Sequence, residues 1–134
     1  MFEHASVHPT IPCTNLERAR AFYEGVLGLP VVREEVQMHG VFYRVGNGYL
    51  NIFERESASA GHTVANFLLS SAELDAAVDA LLAKGVTFDT WEIPGMAESP
   101  FDARGVLTTP DGQSGAWFRD PDGNVLALTN LGLP

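Results

Sequence analysis

TNLERARAFYEGVLG, residues 14–28, reads as one amphipathic helix. Thr14 and Glu17 have the T-x-x-E spacing of a capping box, in which each side chain satisfies the other residue's free backbone N–H. Leu16, Ala19, Tyr23, Val26 and Leu27 fall on one helical face, and Gly28 supplies the stop. SSAELDAAVDALLAKG, residues 70–85, repeats the plan. Ser70 and Glu73 make the box, Leu74, Ala77, Val78, Leu81 and Leu82 make the stripe, and Gly85 ends it. Gly28 and Gly85 are 57 residues apart, so the economical reading is an internal duplication.

The flanking segments extend the repeat. Before the helices lie the strand-like runs SVHPTI and TVANFLL. After the first come three strand candidates, LPVVREEVQM, GVFYRVG and GYLNIFERE, punctuated by His39-Gly40 and by the hairpin signal Gly46-Asn47-Gly48. After the second come VTFDTWEI, GAWFRD and NVLALT, the last two joined by Pro121-Asp122-Gly123. Each half is thus expected to be β-α-β-β-β, one over about residues 1–57 and the other over about 61–132, together a single α+β domain. The stretch from Pro94 to Gln113 is long for a plain connection; it suits a lid or binding loop, or a short extra strand near GVLTT.

Composition narrows the partners. Eight basic against seventeen acidic residues give a net charge of −9, which disfavours nucleic acid and anionic membrane surfaces and leaves a neutral, aromatic or cationic small molecule. Cys13 is the single cysteine, so an intrachain disulfide and a multi-thiolate zinc site are both excluded. Beside a helix start it reads as a buried structural thiol. The opening MFEHASVHPT has no secretory signature and no apolar run is long enough to span a bilayer, so a cytoplasmic location is expected.

The F-Y-x-x-V-L-G-L helix end at Phe22–Leu29 and the F-x-D-P-D-G-N hairpin at Phe118–Asn124, carried by two βαβββ repeats, resemble the glyoxalase, bleomycin resistance protein and extradiol dioxygenase superfamily, the vicinal oxygen chelate proteins. The resemblance covers essentially the whole chain. It implies two modules forming a strongly curved mixed sheet with helices outside and a central cleft, often completed by a homodimer. Members acting on metal-bound substrates hold a divalent ion through His and Glu side chains on central strands. By that resemblance the ligand positions fall at His8, Asn51, Val64 and Ala127. Of these only His8 carries a good donor; Glu54 lies on the opposite strand face from Asn51, and His62, two residues before Val64, is a weak substitute.

A metal-free binding protein is therefore expected, with no cofactor. Alternation puts Tyr49, Asn51 and Phe53 on the cleft face of one strand, with Val64, Asn66 and Leu68, and Val125, Ala127 and Thr129, on the corresponding faces of two others. Trp91, Trp117, Phe101 and Phe42 add large rings whose facing the sequence leaves open. His4 and His39 read as solvent groups. The resemblance implies small-molecule sequestration, as in antibiotic-binding or resistance members. The alternative is a metal-dependent lyase or dioxygenase using His8. No catalytic acid, base or nucleophile set is visible.

Overall fold

The first repeat runs β1 (Thr10–Cys13), α1 (Leu16–Arg20) continued by a π-helical segment (Ala21–Val26), then β2 (Val31–Glu35), β3 (Gly40–Val45) and β4 (Gly48–Glu54), in a computed structural model that describes residues 1, 3–4, 8–36, 39–58, 62–93 and 95–130. The second runs β5 (Thr63–Leu68), α2 (Ser71–Ala83), β6 (Leu107–Thr108), β7 (Ser114–Arg119) and β8 (Val125–Thr129). Each repeat makes its own four-stranded sheet in the same order, β1-β4-β3-β2 and β5-β8-β7-β6. The α+β architecture of tandem βαβββ modules is thus present. No described helix is long and apolar enough to cross a membrane.

By compactness the chain divides into two units, Met1–Val64 with Asp120–Asn124, and Ala65–Arg119 with Val125–Pro134. The turn Asp120–Asn124 lies in the second repeat by sequence but groups with the first unit.

In the first unit β1 runs parallel to β4, and β4-β3-β2 is antiparallel. Ile11, Cys13, Val41, Tyr43, Leu50 and Ile52 are buried on one face, joined by Ala19 and Tyr23 of the helix. Tyr23 stacks on Tyr43 with centroids 6.0 Å apart. The helix starts differently from the capping-box reading of Thr14 and Glu17. Asn15 is the cap, its side chain accepting from the Arg18 N–H at 2.8 Å. Glu54, reaching up from β4, accepts the Leu16 N–H at 2.7 Å. Thr14 is engaged elsewhere, its hydroxyl donating to Asp122. Nor is the helix regular to its end: Leu27 N–H donates to the Phe22 carbonyl at 3.0 Å, a five-residue step that rotates the last turn. Of the expected stripe, Ala19 and Tyr23 are buried while Leu16, Val26 and Leu27 are half-buried. Gly28, at φ +67°, terminates it.

In the second unit the expected capping box is present in full, Ser70 Oγ accepting from Glu73 N–H while the Glu73 carboxylate accepts from Ser70 N–H at 2.9 Å. Leu74, Val78 and Leu81 are buried beneath it, with Ala77 and Leu82 half-buried. Ala65, Ala116, Phe118, Leu126 and Leu128 complete this core. VTFDTWEI is not a strand. Asp89 alone bridges to Trp117, and the rest of that β7 edge is taken by Leu107–Thr108, which pairs with Gly115 and Ser114. The short strand near GVLTT fills the ladder position in place of residues 86–93. Arg104 holds the intervening loop to α2 through Asp75 at 2.8 Å and Asp79 at 3.0 Å.

Candidate functional site

Because strand side chains alternate, the sheet face of the first unit that points away from the helix is set by register. Phe42 stands opposite Asn51, Arg44 opposite Tyr49, and Gly40 opposite Phe53, with Thr10 beside Asn51 on the other flank. Tyr49, Asn51 and Phe53 thus share the open face as the alternation predicts, and Glu54 is confirmed on the helix side. Phe42 joins the same face. His8 is exposed just before β1, its ring edge-on to Phe42 at 5.5 Å. Pro9 carbonyl accepts the Asn51 N–H at 3.0 Å, which brings His8, Phe42 and Asn51 into one neighbourhood.

Three arginines that sequence reasoning passed over belong to this face. Arg33 lies 4.8 Å from the Phe42 centroid, Arg44 lies 4.4 Å from Tyr49, and Arg55 lies 4.4 Å from Phe53. Each guanidinium is attracted to the negative face of a ring. The signal was available: Arg44 shares the period-2 face with Phe42, and Arg33 falls across from it, but only the register links β2 to β3. Asn51 Oδ1 is sealed from solvent without a hydrogen-bond partner, close to the space a Gly40 side chain would fill.

In the second unit Trp117 lies over Gly115, so closely that a Cβ there would meet its Cη2 at 2.7 Å. Trp91 packs edge-on to Trp117 at 5.0 Å and to Phe101 at 4.8 Å. The open-face residues of β5 remain accessible: Val64 is half-buried, Asn66 and Leu68 exposed. Val125, Ala127 and Thr129 are buried, and Ala127, opposite Trp117, has no exposed surface. A cavity of about 710 Å³ opens in the connection, lined by Trp91, Glu92, Ile93, Met96, Glu98 and Ser99. Its carboxylates give it the sign that would suit a cation. The Pro94-Gly95 turn expected there is only partly within the described residues. His4, His39 and His62 are all exposed.

A buried polar cluster braces the first unit. Asp120 accepts four hydrogen bonds: Asp122 N–H and Asn124 N–H at 2.9 Å each on Oδ1, Tyr23 hydroxyl and Asn124 amide at 2.8 Å each on Oδ2. The Asn124 amide also donates to the Pro12 carbonyl at 2.8 Å. Asp122 accepts from Arg18 at 2.9 Å. Burial, reinforced by Asp120, pushes the Tyr23 phenol far above its ordinary range and keeps it a donor. Burial, with the nearby Asp122 and Glu54 charges, pushes the Cys13 thiol up to about 11, so the helix start does not activate it. Every member of the cluster has a structural partner, although Asp122 Oδ2 is buried without a hydrogen bond of its own.

The profile of the glyoxalase/bleomycin resistance protein/dioxygenase superfamily matches residues 5–128. The chain belongs to that superfamily. Solved structures sharing the fold include the integron cassette protein HFX_CASS4 from the mobile metagenome of a Halifax Harbour sewage outfall, with TM-score 0.71 and 20% identity over 96% of this chain and 99% of that one. Lactoylglutathione lyase from Agrobacterium tumefaciens superposes with TM-score 0.67 at 21% identity, covering 94% and 92%. The fosfomycin resistance protein FosX from Mesorhizobium loti does so with 0.66 at 19%, covering 99% and 96%. At these identities the likeness is one of fold. No curated protein matches in sequence.

Superfamily membership raises the question of a metal, and the donor set does not fit one. Among the described residues no three His, Cys, Asp or Glu side chains group to hold an ion. Of the positions the superfamily pattern points to, His8 offers an imidazole, Asn51 an amide whose oxygen is sealed, and Val64 and Ala127 only hydrocarbon. A working site needs at least three donors around the ion.

Proposed function

We propose that this superfamily member is a metal-free small-molecule binding protein whose ligand lies on the open aromatic face of the first sheet. The observation that carries the reading is the cross-strand set Phe42, Tyr49 and Phe53, half-buried or exposed, on the sheet face that points away from the helix. Rings held by sheet register offer flat apolar surface without an ordering cost on binding, which is what a planar ligand needs. The opposed expectation of a cationic ligand, drawn from net charge, meets the wrong local sign here, since Arg33, Arg44 and Arg55 occupy the face.

Metal analysis of protein purified without chelator tests the first half of the proposal. Zinc, iron, manganese and nickel are expected well below stoichiometry. One equivalent of any of them, lost together with an activity on His8→Ala substitution, would establish the metal-dependent lyase or dioxygenase instead. Chemical-shift mapping with small arenes tests the second half, the expected perturbations falling on the backbone amides of residues 42–44 and 49–53.

A further inference from the structure

We infer that the ligand of this face is an anion, a planar arene carrying a carboxylate or similar group; the inference rests on the binding role proposed for the face and assigns its charge. The chain has seven arginines against seventeen acidic residues, so a carboxylate partner is easily found. Arg18 takes Asp122, Arg20 takes Glu24 and Glu34, Arg33 takes Glu35, Arg104 takes Asp75, Asp79 and Asp102, and Arg119 takes Asp89. Among the described residues, Arg44 and Arg55 alone have no ion pair, and both lie on the open face of the first sheet, stacked on Tyr49 and Phe53. Arg55 further donates to a neutral carbonyl, that of Glu54, at 2.7 Å. The single acidic side chain this register sets among them, Glu35 opposite Gly40, is already paired with Arg33 at 2.6 Å.

A guanidinium held over a ring has its charge positioned in advance, and its remaining N–H groups can grip a planar carboxylate by two parallel hydrogen bonds. Tyr49 and Phe53 sit four residues apart on β4, roughly 13 Å along the strand, with Phe42 and Asn51 between them. An arene seated beside Phe42, between Tyr49 and Phe53, would therefore have a guanidinium within reach at either end. Placing two cations without an ion pair on one face of a chain of net charge −9 gives that face a local positive potential where the overall field is negative, which favours an anion there.

The test compares three probes of one shape, benzoate, benzyl alcohol and benzylamine, titrated into the ¹⁵N-labelled full chain. Benzoate is expected to bind at least roughly tenfold more tightly than the alcohol, with shifts at residues 42–44 and 49–55, and benzylamine more weakly still. The benzoate-to-alcohol ratio should fall toward one in the R44M/R55M double variant and shrink with added salt. Both side chains are exposed, so the variant's native spectrum checks its fold. Alcohol or amine binding this face as tightly as benzoate would overturn the charge assignment and leave the aromatic site standing. Absence of shifts at this face with all three would overturn both, and an unchanged benzoate-to-alcohol ratio in the double variant would overturn the anion assignment.

Discussion

Tyr23 donates its phenol proton to Asp120 at 2.8 Å, and both side chains are buried. This bond ties the π-helical turn of the first unit to a turn 97 residues further along the chain. Tyr23→Phe deletes the donor but leaves Asp120 with its three remaining donors, all from the turn itself. Urea denaturation should show a loss of about 1–3 kcal/mol, with no change in the amide shifts of β5 or α2. A loss below ~0.3 kcal/mol would mean that the bond is not formed in solution.

Cys13 supplies the pH dependence. Its folded-state pKa, pushed up to about 11 from 9.0, means that the folded protein holds the thiol proton more tightly than the unfolded chain does. The stabilisation is present in full below pH 9 and is lost as pH rises from there through about 11. Stability measured from pH 8 to 11 should fall by an amount on the order of 2 kcal/mol more than that of Cys13→Ser, compared each with its own value at pH 8. At pH 8 the native thiol should resist aromatic disulfide reagents and react only on unfolding.

Asn51 is a place where stability and function should part. Its Oδ1 is a sealed acceptor with nothing to accept from, a defect worth about 1–3 kcal/mol. Asn51→Leu fills the same space without the polar atom and should raise the unfolding free energy by ~1 kcal/mol. Arene binding at the open face should weaken in the same variant. A destabilised variant would show that the amide finds a partner in solution.

Gly115 is required by Trp117. A methyl group at that position would press on the indole from 2.7 Å, so Gly115→Ala must displace it from Trp91 and the cluster ending at Phe101. The expected result is a red-shifted tryptophan emission and a destabilisation of about 1–3 kcal/mol.

Ser70→Ala removes the hydroxyl half of the capping box and should cost about 1 kcal/mol, while Thr14→Ala, outside any cap, should leave the helix content unchanged. Thermal unfolding followed by circular dichroism distinguishes the two.

The contrast between those two caps shows how far the sequence could be read. Ser70 and Glu73 obey the local rule because nothing else competes for them. Thr14 and Glu17 have the same spacing, yet Asn15 caps the helix, since Asp122 claims the Thr14 hydroxyl and Glu54 claims the Leu16 N–H. Both competitors arrive from far along the chain. VTFDTWEI misleads for a related reason: its composition is that of a strand, but the β7 edge it would need is occupied by Leu107–Thr108. At the candidate site, Tyr49, Asn51 and Phe53 were legible from alternation alone, and Arg55, two residues after Phe53, shares their period, whereas the contacts of Arg33 with Phe42 and of Arg44 with Tyr49 were not legible, because each crosses from one strand to the next and only register sets it.

By itself, then, the sequence determined the duplicated βαβββ plan, which residues share a face on the strands that alternate cleanly, and the residue types at His8, Asn51, Val64 and Ala127. Helical periodicity, turn chemistry and residue type are properties of neighbours in the chain. Only the tertiary structure decided that Asp120–Asn124 belongs with the first unit and that the two arginines without a carboxylate share one sheet face. Those outcomes depend on register and on which distant group reaches a donor first, and neither is a property of neighbours in the chain.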